Sequence, residues 1–314
     1  MEKFSRWRDK GTGIAPFLPY PSSIFSSTGD SSFIHISARA GNILLASISV
    51  AIKLPLFLLH IVVHSLLMMS PLSDMARSSS TKILLGLLGV WHYNVKYAGS
   101  HRSKTSKSPR NIKPGDIIVS NFVSPLDALV YSTQFNCCFA IPTYSGKFVC
   151  CNTLQAVYAA MSLPVIDADK NAGYSLTDII AEAEKAKSII ILFAEGTTTN
   201  GRGFLHSPVT DILIPSAAER TSLIPSHIKY QPPDVSTPIP PKSVIFYIVS
   251  LMCNWRAWSV RLQVGEEVSA ALGQASLPRC IDDICMLGRI KKLGSDLDFK
   301  SKVDFVTAWQ KNRR

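Results

Sequence analysis

The chain has 314 residues, 46% of them hydrophobic and 18% charged, and carries 33 basic against 22 acidic side chains for a formal charge of +11. That length holds one large α/β domain plus an appended segment, and the absence of an internal repeat sets solenoid architectures aside. So few charges suit a membrane-associated protein, and a basic surface attracts anionic lipid, the phosphates of CoA, or nucleic acid.

The first thirty residues are polar, charged and Pro-rich. They lack the basic, apolar and cleavage regions of a secretory signal, so the N-terminus is expected to stay attached, with residues 1–40 as a polar leading segment. From Ile43 to Met69 the chain is nearly all apolar. A helix of that length reaches about 40 Å, beyond the roughly 30 Å hydrocarbon core of a bilayer. Lys53 and Pro55 sit in its middle, where a cation costs at least about 2.5 kcal/mol and Pro disrupts the helical ladder. A bent hairpin dipping into one leaflet avoids both problems, and membrane association is expected without a fixed topology. Thr81 to Trp91 is a second apolar stretch, too short to cross a bilayer and suited to interfacial packing. Residues 41–91 are therefore read as a membrane-associating helical region.

The run Arg102 to Lys113 holds five cations with no acid and no aromatic side chain on which a base could stack. It reads as a solvated loop, with a headgroup contact second and nucleic acid a distant third. Beyond it, apolar runs alternate with helical patterns, the grammar of an α/β fold. His92–Tyr97, Asp116–Ser120, Phe139–Pro142, Leu163–Asp167, Ser188–Phe193 and Trp258–Val264 are predicted strands; Asn152–Ser162, Leu176–Lys187 and Val303–Arg314 are predicted helices. In the second of these helices Leu176, Ile179, Ile180 and Ala183 share one face. Five prolines between Gln231 and Lys242 mark a loop. The seven cysteines, as Cys137-Cys138, Cys150-Cys151, Cys253, Cys280 and Cys285, lack C-x-x-C spacing and are odd in number, which favours free thiols facing the cytosol and no metal.

Two short segments carry the chemistry. Asn121-Phe122-Val123-Ser124-Pro125-Leu126-Asp127 and Phe193-Ala194-Glu195-Gly196-Thr197 each follow an apolar strand. In an open α/β sheet ligands bind outside the carboxyl ends of strands, so Asp127 and Glu195 are expected to face one cleft. There is no P-loop and no G-x-S-x-G elbow.

These segments resemble the first and third blocks of the PlsC-like glycerolipid acyltransferase family, N-H-x-x-x-x-D and F-P-E-G-T-R. Phe122 stands where that family carries its catalytic His, and Thr198 where it carries an Arg. The opening Trp7-Arg8-Asp9-Lys10-Gly11-Thr12-Gly13-Ile14-Ala15-Pro16-Phe17-Leu18-Pro19, with Ser124-Pro125-Leu126-Asp127-Ala128, is similar to the fungal branch of lysophosphatidic acid:oleoyl-CoA acyltransferases, related to vacuolar sorting, which also lacks the His.

The resemblance implies a glycerol-3-phosphate acyltransferase-like α/β domain over residues 92–314, a mixed sheet flanked by helices, docked on membrane through its N-terminal helices. It implies acyl-CoA-dependent acylation of lysophosphatidic acid to phosphatidic acid, with acyl-CoA as co-substrate, no other cofactor, and membrane lipids as partners. Residence at the endoplasmic reticulum and lipid droplets follows from it.

Acyl transfer needs a base, donors for the oxyanion and a clamp for the acceptor phosphate. Asp127 and Ser124 are the catalytic candidates, joined by His227, whose surroundings Leu223-Ile224-Pro225-Ser226-His227-Ile228 resemble the family's fourth block. Asn121, Glu195, Gly196, Thr197, Arg202 and Lys170 are the substrate-binding candidates; Arg202 and Lys170 supply cations where the family's arginines are missing. The competing reading is an acyltransferase fold that has lost its base and binds lipid in membrane or vacuolar traffic; a third, hydrolysis of lysolipids, would use water as acceptor in the same cleft.

Overall fold

Two short, uninterrupted apolar runs, β2 (Ile117–Ser120) and β5 (Ile189–Phe193), are buried at every residue, as strands covered on both faces must be. The computed structural model describes residues 2–20, 33–69, 74–97, 112–164, 173–207, 209, 221–240, 243–254, 257–269 and 276–312. The predicted basic loop over 102–111, the acid at Asp167 and the candidate Lys170 lie outside these residues.

The remaining strands are β1 (Val90–Tyr97), β3 (Cys137–Pro142), β4 (Phe148–Cys151), β6 (Gly203–Phe204), β7 (Ser222–Gln231), β8 (Trp258–Val264), β9 (Val268–Ser269) and β10 (Lys291–Lys292). The main sheet runs β1-β8-β7-β2-β5-β3-β4, with β9 added to β7. Its centre, β7-β2-β5-β3, is parallel; β4 and β8 join antiparallel. Ser120 is in register with Phe193 on one side and Ser226 on the other, so β2 and β5 end side by side.

One face of the sheet is covered by α1 (Phe33–Met69), α2 (Asp74–Leu87), α3 (Leu126–Gln134), α4 (Thr153–Met161) and α6 (Val244–Met252), which share a core with Phe122, Phe139 and Phe193. The other face carries α5 (Leu176–Lys185) and α7 (Ser276–Gly288). The predicted apolar face of α5 is the one it buries: Leu176, Ile179, Ile180 and Ala183. A third cluster joins Phe17 of the leading segment to Leu205, Leu293 and α8 (Phe299–Lys311).

Of the spanning helix and the bent hairpin, the structure has the former geometry: α1 is one continuous helix of 37 residues with Pro55 inside it. The reason lies in α6. Lys53 Nζ donates to the carbonyls of Met252 (3.4 Å) and Asn254 (3.0 Å), and Ser49 Oγ donates to that of Met252 (2.7 Å). A helix C-terminus presents unpaired carbonyls and a partial negative charge, so the cation is met by protein rather than lipid. One and two turns on, Phe57 is buried and His60 Nε2 lies 2.8 Å from the Ser80 carbonyl; His64 Nδ1 lies 3.0 Å from Ser80 Oγ. Residues 49, 53, 57, 60 and 64 thus form one stripe against the domain. The opposite side exposes Leu44, Ile48, Ile52, Leu59 and Leu66, and Gly41–Leu67 is long and apolar enough to cross a membrane.

Other predicted elements shift at their edges. Leu163 and Pro164 belong to no strand. The last helix begins four residues earlier than its pattern indicated, because Asp298 caps it: its Oδ1 accepts the Ser301 N–H at 2.8 Å, and Ser301 Oγ faces back on the cap. Asp298→Ala is expected to cost about 1 kcal/mol of stability, read as a lower urea midpoint with an unchanged slope.

Candidate active site

The tightest polar cluster lies where β2 and β5 end. Glu195, the second residue after β5, is wholly buried. Its Oε2 accepts the Phe122 N–H at 2.7 Å and its Oε1 the Leu205 N–H at 2.9 Å, so one carboxylate holds the segment after β2 and the segment after β5 together. Thr199 closes the same circuit, its N–H donating to the Phe122 carbonyl at 2.9 Å. Gly196, at φ +67°, allows the chain to reverse beneath Pro142, where a Cβ would stand 3.4 Å from that residue's ring and carbonyl.

Asp127 is equally buried in the first turn of α3. Its Oδ2 accepts the N–H groups of Val123 (2.7 Å) and Ser124 (3.0 Å), and its Oδ1 accepts the Tyr230 hydroxyl at 2.6 Å. Two of those donors come from its own loop and the third from β7, and together they enclose the carboxylate. Ser124 Oγ lies 3.2 Å from both the Val235 carbonyl and the Tyr247 hydroxyl. Asn121 exchanges two hydrogen bonds with the backbone of Ile228, 2.8 Å through Oδ1 and 3.1 Å through Nδ2, extending the β2–β7 pairing by a side chain.

Phe122 fills apolar space. Its ring stacks on Phe193 at 4.1 Å between centroids, inclined 10°, and Phe139 stacks on the far side of Phe193 at 5.7 Å. A ring in that stack has no lone pair to accept a proton, so the side chain supplies packing in place of a base.

The electrostatics follow from burial. Loss of water lifts the Asp127 carboxyl to about 7 and that of Glu195 to about 8, against the pull of their hydrogen bonds; the Asp127 charge adds to the rise at Glu195. Lys302, on α8, is also fully buried, and burial lowers its ammonium to about 7 while the Glu195 charge opposes the change. Its Nζ lies 2.8 Å from Thr197 Oγ1, 2.7 Å from the Thr198 carbonyl and 2.8 Å from Thr198 Oγ1.

The structure thus gathers Asn121, Ser124, Asp127, Glu195, Gly196 and Thr197 at neighbouring strand ends, although all are buried rather than facing an open cleft. It does not bring His227 to them. Strand alternation points Ile228 and Tyr230 toward α3 and Asp127, and His227 to the opposite face, where its ring presses on Gly288 of α7. Both its ring nitrogens are without partners among the described residues, and burial lowers it to about 4. Arg202 is exposed, its guanidinium 4.6 Å over the Tyr20 ring.

Sequence reading missed Tyr230, Tyr247 and Lys302. The lysine left a trace: it occupies a core position of α8, between Phe299 and Phe305, where a cation is out of pattern. The tyrosines left none, since only the strand register shows what they face.

The comparisons bear on what this cluster belongs to. No family profile and no solved structure matches the chain. A Schizosaccharomyces pombe protein named as a candidate lysophosphatidic acid:oleoyl-CoA acyltransferase is 34% identical over 247 residues, covering 76% of this chain and 77% of that protein. The chain belongs to that acyltransferase family. The Saccharomyces cerevisiae lysophosphatidic acid:oleoyl-CoA acyltransferase 1 is 24% identical over 212 residues, 67% of this chain and 62% of its own length. In this chain Glu195 ties the segment after β2 to the segment after β5, Asp127 holds its own loop and Tyr230 of β7, and Phe122 is part of the core.

Two outcomes are expected. Both carboxyls are held above their unfolded values of about 4, so their contribution to stability is fully present below that pH. It is lost as pH rises through about 7 for Asp127 and about 8 for Glu195. Asp127→Asn keeps an oxygen that accepts the Val123 and Ser124 N–H groups, while the Tyr230 hydroxyl turns to accept from the new amide, so urea midpoints measured from pH 5 to pH 8.5 fall less steeply in the variant than in the parent. Glu195→Gln must set an amide N–H against the N–H of Phe122 or Leu205. It is expected to lower stability by roughly 2–3 kcal/mol at pH 5, measured by the same denaturation.

Proposed function

We propose that the protein transfers an acyl group from acyl-CoA to the hydroxyl of lysophosphatidic acid, giving phosphatidic acid. The observation that carries this reading is the 34% identity to the S. pombe protein over three quarters of the chain. The clustering of Asn121, Ser124, Asp127, Glu195, Gly196 and Thr197 at adjoining strand ends supports it, since that is where open α/β sheets place ligands.

In this reading Asp127 and Glu195 fix the loops, Gly196 lets backbone come close to substrate, Thr197 offers a hydroxyl, and the exposed Arg202 is available to a phosphate of CoA or acceptor. Lys170 keeps its place as a second candidate cation. In this reading the base is sought elsewhere than His227, whose ring lies against Gly288 on the other face of the sheet. Acyl-CoA is consumed as co-substrate and no further cofactor is required. The apolar outer side of α1 supports residence in a membrane, and the free cysteines support a cytosolic aspect for the domain. Within the cell we place the reaction in glycerolipid and triacylglycerol synthesis at the endoplasmic reticulum and lipid droplets.

One observation favours a second reading. Phe122 is packed, not merely substituted, and a fold that has converted its base into core could bind lipid without turning it over. Turnover separates the two. Purified protein given oleoyl-CoA in mixed micelles is expected to release CoA only when lysophosphatidate is added, with phosphatidate appearing in equal amount. Lipid binding without acceptor-dependent release would overturn the enzyme and leave a lipid-binding protein.

A further inference from the structure

An alcohol attacks a thioester usefully only when something takes its proton. Phe122 offers no lone pair, Asp127 is closed in by three donors, Glu195 by two backbone N–H groups, and His227 faces away. At these strand ends, among the described residues, burial holds the hydroxyls of Tyr131, Tyr230 and Tyr247 in their protonated form, which leaves Lys302 as the remaining candidate. Its ammonium position is completely buried and its three neighbours are all neutral oxygens, two of them Thr hydroxyls. It makes no ion pair among the described residues.

A buried lysine without a counter-ion favours its neutral form, in which the nitrogen carries two N–H groups and a lone pair. Two of the three oxygens then accept from it, and a Thr hydroxyl is placed to donate to it. Thr197 fits that role: its Oγ1 is 2.8 Å from Nζ, it follows Gly196 in the turn after β5, and the Thr198 hydroxyl is taken up by the Thr237 carbonyl at 2.7 Å.

We propose that Lys302 is the proton acceptor of the transfer, working through the hydroxyl of Thr197. The inference rests on the acyl-transfer reading. The acceptor hydroxyl gives its proton to Thr197 Oγ1 as the Thr197 proton passes to Lys302 Nζ. The freed oxygen forms its bond to the thioester carbonyl carbon. Collapse of the tetrahedral intermediate breaks the C–S bond, and the departing thiolate takes the proton back along the same path, so Thr197 and Lys302 end as they began. Thr197 is the residue that touches substrate; Lys302 acts from behind it. The depressed affinity of Lys302 for its proton is consistent with this role.

The test uses full-length protein and acceptor-dependent CoA release. Lys302→Arg keeps a cation and donors but cannot accept a proton, and Thr197→Val removes the relay; each is expected to lose roughly 10²–10⁴-fold in kcat, while Thr197→Ser stays within about threefold of the parent. Lys302→Ala leaves space for a small amine. Its rate is expected to recover with methylamine or ethylamine, increasing with amine basicity, and not with guanidinium, which has charge but no available lone pair. Thermal melts accompany each variant; if Lys302→Arg does not fold, the Thr197 pair and the amine rescue decide. A Lys302→Arg enzyme near parental rate, or rescue by guanidinium equal to that by amines, would show a cation that only braces the loop and would overturn the proposal. A parent protein that releases no CoA with acceptor present overturns the acyl-transfer reading itself, and this inference with it.

Discussion

The Glu195 carboxylate is the tie on which the rest of this site depends. Parallel strands end separately, and nothing in the sheet ladder fixes the segment after β2 relative to the segment after β5. Glu195 does so with both oxygens, one on Phe122 and one on Leu205. Once the N–H of Phe122 is fixed, its ring stacks on Phe193, the loop to Asp127 closes, and α3 begins. A buried carboxylate is a costly choice for such a tie, and its elevated affinity for a proton records that cost. The neutral alternative, an amide, could not accept from two backbone N–H groups with two different atoms.

The same logic explains the placement of the C-terminal helix. α8 brings Phe299 against Gly196 and Lys302 against Thr197 and Thr198, so the turn after β5 is held from below by a side chain just over a hundred residues away. The leading segment completes the enclosure: Asn200 Nδ2 donates to the carbonyls of Ala15 and Leu18, and the Asn200 N–H to that of Pro16. Residues from both ends of the described chain thus converge on one turn, and the polar atoms there are satisfied without water or substrate.

The sequence was most legible where a single period dominates. β8 is found at its predicted limits, and α4 and α5 begin at their capping residues Asn152 and Ser175, because alternation and amphipathic spacing report burial directly. The pairing of the two motif segments was legible from topology, since both follow central strands. Three features were not. The case for a hairpin at α1 weighed Lys53 against lipid, whereas its acceptors are carbonyls at and just beyond the end of α6, two hundred residues on, which no side-chain pattern announces. His227 was drawn toward the site by its neighbours in sequence, while strand parity, which needs the register, sends it to the other face. Lys302 stood out of pattern on α8, yet only the fold supplies the threonines that give it meaning.

The stripe along α1 constrains movement as well as packing. Contacts from Ser49 to His64 fasten the helix to α6 and α2 over fifteen residues, about 22 Å at 1.5 Å per residue. A helix attached at one end can swivel; one attached along that length cannot. The tilt of α1 and the attitude of the whole sheet are therefore a single degree of freedom. Any angle that a lipid surface imposed on the helix would be transmitted to the strand ends, so the aim of the Thr197 hydroxyl would follow the tilt of α1.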